Sequence, residues 1–318
     1  MANIMIKPKL ALIGTGNIAH FHCEAFAEAG FEISHAAGSL NSKTVEEFGK
    51  KHSIKNVFSN PHDILKNHQE WDAVLLSTPI DKNIDYLEGI LELNKPALIE
   101  KPVAINKVDL LRFKENDFKN IRVAYNKRFY STIQRAKEFI KNEDFVHLRM
   151  ELPENIKSTR NYEDVLSNSF HGIDLLFYLF TDLEIQNNYV FKNDLGRLVT
   201  LKSKNNNLVS LSMNWNSPSN FMISLEGDRR RLEIKPFESG SIYQGMDLIE
   251  PTEDLPLRRY VPKKIESISS FPHQDNLIKP GFLEQAIEFK NILEGGSPVI
   301  SASLYDAYKA QELLDDIL

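Results

Sequence analysis

The sequence predicts a two-domain α/β protein: a doubly wound parallel sheet first, then an α+β domain built on a mostly antiparallel sheet buried on one face. Three observations predict it. Short, almost wholly apolar runs alternate with amphipathic stretches over residues 1–124. A glycine turn, Gly14-Thr15-Gly16-Asn17-Ile18-Ala19, joins the first such run to the first such stretch. After about residue 125 the character changes, and from 190 to 234 several runs alternate apolar and polar residues.

In order, Leu10-Ala11-Leu12-Ile13 reads as a buried strand, 18–29 as a helix closed by Gly30, and 31–37 as a second strand. A helix over 42–52 and a short strand, Asn56-Val57-Phe58, follow, with Pro61 opening the next helix. Ala73 to Ser77 is a strand ended by Thr78-Pro79; a helix over about 83–93 leads to the strand Ala97-Leu98-Ile99. A helix over 107–115 and the strand Arg122 to Tyr125 complete the domain. Strands alternating with helices pair in parallel through right-handed crossovers, and wholly apolar strands are covered on both faces. In the second domain, 125–318, 132–141 reads as a linking helix, 146–152 as a strand and 168–180 as an amphipathic helix. Alternating runs from 190 to 234 imply a sheet with one face buried. Arg229-Arg230-Arg231 reads as a turn entering a strand, 240–280 as irregular, and 282–293 and 304–317 as closing helices, with a return onto the first domain as their alternative place.

The bulk numbers narrow the function. A chain of 318 residues suits two cores, and a formal charge of -6 argues against a nucleic-acid partner. No apolar stretch spans a bilayer, so no membrane partner is expected. One cysteine, Cys23, forms no internal disulfide and points to a reducing cytoplasm. Nothing calls for a metal.

A pyrophosphate needs close backbone approach and free N–H donors at a helix N-terminus. Gly14 permits the tight turn, Gly16 lets the backbone reach phosphate, and Ala19 is small enough for close helix–strand packing. The strand–turn–helix context makes this a dinucleotide site rather than an ordinary connection, with Gly14, Thr15, Gly16, Asn17 and Ile18 as ligands. An acid after the second strand would bind a ribose 2′-hydroxyl. Gly38-Ser39-Leu40-Asn41-Ser42-Lys43 has none, so Ser39 and Lys43 lean toward NADP, with NAD open. Glu100-Lys101-Pro102 follows a strand expected at the sheet's centre, which sends Lys101 to the carboxyl edge where ligands bind. A lysine partly desolvated beside a cationic nicotinamide has its pKa pushed down and can exchange a proton with a substrate hydroxyl. The alternative is a surface lysine in a loop.

The ordered set of the glycine turn with His22, Ser77-Thr78-Pro79, Glu100-Lys101-Pro102, Tyr125 to Phe129 and His171-Gly172-Ile173-Asp174-Leu175-Leu176 resembles the Gfo/Idh/MocA family of oxidoreductases. The resemblance implies a Rossmann domain and a second domain with a large open sheet. It also implies hydride transfer between NAD(P) and a sugar, cyclitol or nucleotide-sugar hydroxyl or carbonyl. Lys101 matches the family's catalytic lysine and His171 its catalytic or substrate-positioning histidine. Ser77, Thr78, Pro79, Glu100, Lys101 and Arg128 join the cofactor set, and Asn168, Asp174, Arg160 and Tyr162 are substrate candidates. Two departures leave the substrate open: Ser167 stands where many relatives have an aspartate, and Asn83 where a histidine is often seen. The missing carboxylate keeps a non-catalytic NAD(P)-binding sensor as the alternative function, with a reductase acting on an imine or tetrapyrrole-like substrate as a third. An open sheet exposing apolar side chains would be covered by another subunit, so a homodimer or homotetramer is expected.

Overall fold

The apolar run after Lys9 becomes β1 (Lys9–Ile13), whose last four residues are fully buried because both faces of the strand are covered. The computed structural model describes residues 7–39, 44–113, 119–154, 165, 168–215, 217–271 and 277–318. After β1 come α1 (Asn17–Glu28), β2 (Glu32–Ala37), α2 (Thr44–Lys51), β3 (Asn56–Phe58) and α3 (Pro61–Lys66). Then follow β4 (Ala73–Leu76), α4 (Ile80–Glu92), β5 (Ala97–Ile99) and β6 (Ile121–Val123). Among the described residues these strands form a parallel sheet in the order β3-β2-β1-β4-β5-β6. The reversal of strand order between β1 and β4 puts the topological switch point beside the glycine turn. The stretch read as a helix over 107–115 is instead a 3-10 helix over Lys107–Phe113.

The second sheet is built from β7 (His147–Glu151), β8 (Leu183–Val190), β9 (Gly196–Ser203), β10 (Leu208–Asn214), β11 (Met222–Glu226), β12 (Arg230–Ile234), β13 (Ser239–Ile249) and β14 (Arg259–Ser269). Its order is β14-β13-β12-β11-β7-β10-β9-β8, antiparallel except where β7 meets β10. α5 (Ser131–Lys141) precedes β7, and α6 (Ser169–Leu179) lies between β7 and β8. The chain closes with α7 (Phe282–Leu293) and α8 (Leu304–Ile317). The segment over 240–280, read as irregular, contains most of the long β13–β14 hairpin.

Two compact units result: residues 1–129 with 272–315, and residues 130–271 with 316–318. In the first, Cys23 and Phe26 of α1 pack with Leu10 and Leu12 of β1 and with Phe282, Ala286 and Phe289 of α7. Phe26 meets Phe289 edge to face, ring centroids 5.9 Å apart. Each such buried phenyl stabilises the unit by about 1.5–3 kcal/mol. In the second, Leu148, Met150, Val199, Leu211, Ile223 and Leu232 fill one face of the sheet.

The other face is not the apolar surface the open-sheet expectation called for. Thr200, Ser210, Arg149, Ser224, Glu233 and Ser241 lie directly opposite one another from β9 across to β13, a polar row. Arg149 pairs with Glu226, and Arg231 reaches Glu233 at 2.6 Å. The exposed large apolar side chains gather instead on outer strands, notably β13 and β14. Among the described residues no helix is long and apolar enough to cross a membrane.

Candidate active site

The carboxyl ends of neighbouring parallel strands bring three sequence motifs onto one edge of the first sheet. Gly14 N–H donates to the Ala37 carbonyl (2.8 Å), Ser77 N–H to Ile13 (2.7 Å) and Glu100 N–H to Leu76 (2.8 Å). Each turn is thereby hung on the last residue of the strand beside it. The glycine turn, Ser77-Thr78-Pro79 and Glu100-Lys101-Pro102 therefore follow β1, β4 and β5 in spatial order.

The two glycines do different work. Gly14 has φ +101, and a Cβ there would sit 2.0 Å from the Ser77 carbonyl oxygen. It is glycine because the neighbouring backbone leaves no room. Gly16 has φ -75 and nothing within 4 Å of its would-be Cβ. It caps α1, and no side chain caps that helix. Its space and the first-turn N–H groups of Asn17 and Ile18 are what a phosphate needs. Thr15 and Ile18 are half-buried around the turn, and Ala19 is fully buried beneath it. The Ser77 hydroxyl is buried and makes no hydrogen bond among the described residues, so it has bonding capacity to offer a ligand. These features fit a bound dinucleotide.

Lys101 is half-buried, and its peptide with Pro102 is cis. Its backbone is held from two directions. His22 Nε2 lies 2.5 Å from Glu100 Oε1, and the other carboxylate oxygen accepts from Lys101 N–H at 3.1 Å. His22 is 1% exposed, so Glu100 ties the Lys101 turn to α1 just after the glycine turn. On the other side, Asn83 donates to the Pro102 carbonyl (3.0 Å) and accepts from the Thr78 hydroxyl (2.7 Å). Thr78 and Pro102 are thus joined through one buried amide. Sequence reasoning noted Asn83 only as a substitution, because spacing along the chain does not show that α4 returns beneath the next strand's exit.

Arg128 is buried, its guanidinium 3.6 Å from Asp306 and over the Tyr125 ring. Ser39 is exposed after β2. Lys43, Arg160, Tyr162 and Ser167 lie outside the described residues. In the second unit His171 occupies the first turn of α6 and is 8% exposed; Asp174, one turn on, is fully buried. Asn168 is exposed, and its carbonyl accepts from His171 N–H at 3.0 Å. The start of α6 is held by Glu154, a buried acid that no motif in the chain pointed to. Its carboxylate accepts from Ser169 N–H (2.6 Å) and Ser169 Oγ (2.8 Å). A carboxylate at a helix N-terminus satisfies orphan N–H groups and complements the helix dipole.

Residues 9–116 match the family model described as an oxidoreductase family with an NAD-binding Rossmann fold, the Gfo/Idh/MocA model. Over these residues the chain is similar to that family. Solved structures share the fold over nearly the whole chain. A levoglucosan dehydrogenase complexed with NADH and levoglucosan is 17% identical, covers 98% of this chain and 96% of its own, and superposes with a TM-score of 0.77. A myo-inositol dehydrogenase from Lactobacillus casei, complexed with NAD(H) and myo-inositol, gives 17%, 98%, 93% and 0.69. A UDP-N-acetylglucosamine 3-dehydrogenase from Acidithiobacillus ferrooxidans gives 15%, 98%, 97% and 0.73. At such identity the likeness is one of fold. No match was found among curated proteins.

Proposed function

We propose that this chain is a Gfo/Idh/MocA oxidoreductase and moves hydride between NAD(P) and a carbon bearing a hydroxyl or carbonyl in a sugar, cyclitol or nucleotide sugar. One observation carries the reading: the glycine turn and Lys101 leave β1 and β5, which flank β4 in one sheet. Two strand spacings, about 10 Å, separate the strands that carry them. That is a suitable span for residues meant to serve one extended cofactor.

The bound nicotinamide would supply the hydride acceptor or donor. Gly16 and the α1 N-terminus would bind the pyrophosphate, with Ser77, Thr78 and Pro79 lining the path toward Lys101. Lys101 Nζ would take or return the substrate hydroxyl proton. Glu100 and Asn83 would hold the backbone on either side of that lysine. His171 is proposed as the second proton-handling or substrate-positioning group, with Asn168 and Asp174 on the same helix start. The acid-free segment after β2, with Ser39 and Lys43, supports NADP over NAD. Work as a homodimer or homotetramer completes the proposal.

The test is a panel of sugars, cyclitols and nucleotide sugars with NAD or NADP, following absorbance of the reduced nicotinamide. Lys101→Ala is expected to lower turnover by about 10²–10⁴-fold, the usual contribution of a positioned acid–base group. Its cofactor dissociation constant should stay unchanged. Undiminished turnover removes Lys101 from the mechanism. Tight cofactor binding with no turnover across the panel overturns the oxidoreductase reading in favour of a sensor.

A further inference from the structure

His171 sits in a helical turn that its own helix does not secure. α6 has no acid in its first turn, and the side chain of its N-cap residue, Asn168, makes no capping bond. The cap comes from Glu154, fifteen residues before Ser169. Glu154 is buried, and its carboxylate accepts from Ser169 N–H at 2.6 Å and from Ser169 Oγ at 2.8 Å, with Asn168 Nδ2 at 3.5 Å. A carboxylate facing the positive end of a helix dipole makes short, charge-assisted bonds, roughly twice as strong as neutral ones.

The sheet fixes that carboxylate in turn. β7 runs parallel to β10, and the pairing continues beyond its last residue. Leu152 N–H donates to the Ser212 carbonyl at 2.8 Å, and Glu154 N–H to the Asn214 carbonyl at 3.2 Å. Residues two apart on an extended strand share a face, so Leu152 and Glu154 project the same way. The first turn of α6 rests on both. A Cβ at Gly172 would collide with the Leu152 side chain, so glycine there lets the helix backbone come down onto the leucine. Leu152 and Ser169 are fully buried, which leaves neither contact room to slide. His171 lies between the two anchored positions, two residues after Ser169 and one before Gly172. The leucine sets how closely the turn approaches the sheet. The carboxylate sets where the helix begins and how it is rotated, and with that the direction of the His171 side chain.

We infer that Glu154 is the positioning residue for His171, holding the first turn of α6 in the one setting that presents its imidazole to the reaction. The inference rests on the role proposed above for His171. It goes beyond capping: a cap that served stability alone would leave the ring and the turnover unchanged wherever the protein is folded.

The test uses the full chain and reads the ring and the reaction separately. The chain has nine histidines, and the Cε1–H signal of His171 in a carbon–proton correlation spectrum is the one that His171→Ala removes. In Glu154→Ala that signal should shift or split, with the other signals in place. On the same panel of sugars, cyclitols and nucleotide sugars, kcat/KM should fall at least about tenfold, with the dissociation constants for NADH and NADPH unchanged. Added to His171→Ala, Glu154→Ala should lower kcat/KM by less than about twofold more, because a residue that acts through another loses its effect once the other is gone. Should the alanine variant fail to fold, Glu154→Gln keeps one acceptor for Ser169 N–H and is read the same way. An unmoved His171 signal overturns the inference. So do additive losses in the double variant, which make Glu154 a support of the fold alone. A wild type without turnover, or His171→Ala with full turnover, counts against the proposed function instead, and the spectrum then decides by itself whether Glu154 sets the ring.

Discussion

Substituting alanine at Gly14 and at Gly16 separates the fold of the turn from its proposed use. At Gly14 the new methyl must enter a space where the Ser77 carbonyl oxygen would lie 2.0 Å away and the Thr78 nitrogen 2.9 Å away, on a backbone at φ +101. A non-glycine residue at positive φ costs about 1–2 kcal/mol. Overpacking against a backbone that cannot give costs about 1–3 kcal/mol more. The sum, about 2–5 kcal/mol, corresponds to a melting temperature lower by roughly 4–20 °C for a unit of this size. At Gly16 the methyl meets nothing within 4 Å and φ is -75. Stability should stay within about 1 kcal/mol of wild type, since alanine accepts that conformation and stiffens the unfolded chain. The methyl would, however, occupy the approach proposed for the pyrophosphate. Calorimetric titration with NADH and NADPH should show a dissociation constant at least tenfold weaker for Gly16→Ala, with its melt unchanged. A Gly16→Ala protein that binds both nucleotides as tightly as wild type refutes the placement of the phosphates at this turn.

Asn83→Ala should strip a buried donor from Pro102 and an acceptor from Thr78, costing about 1–3 kcal/mol in thermal melts and lowering kcat more than it changes cofactor affinity. Cys23 is buried, and burial pushes its thiol up to about 12, so a disulfide reagent at pH 8 should modify the native protein at least about 100-fold more slowly than the unfolded one. Rapid native labelling would contradict that burial. The Arg135 guanidinium holds the Glu266 carboxyl below its ordinary value near 4.5. A carboxyl depressed in the folded state stabilises above its unfolded pKa and loses that contribution as pH falls through its folded pKa. Glu266→Gln should therefore lower the melting temperature more at pH 7 than at pH 3; an equal effect at both would remove the pair from the acid response.

The alternation of apolar runs and helices made the first sheet legible because both faces of a parallel sheet are covered, which leaves continuous apolar strands such as Ala73–Leu76. The buried face of the second sheet was legible too, but the polar row opposite it corrects the expectation of an exposed apolar face, although the same alternation implies it. Ser210 and Ser212 alternate with buried Val209, Leu211 and Met213, and a period of two with one face in the core puts its polar residues outside. The β13–β14 hairpin was hidden because it lacks that contrast: its distal half is exposed, and Pro262, Lys263 and Lys264 sit on an edge strand, where such residues deter unwanted pairing.

Local pattern alone determined the strand–turn–helix at Gly14–Ala19, the alternation of strands with helices in the first domain and the place of Lys101 at the end of β5, since each depends on residues adjacent in the chain. Tertiary structure decided what no spacing encodes: Gly14 pressed against Ser77, Glu100 joined to His22, Asn83 bridging Thr78 and Pro102, and Arg128 turned inward to Asp306. These contacts form between segments brought side by side only when the sheet assembles, and polar groups find such partners only once burial removes water as the competitor.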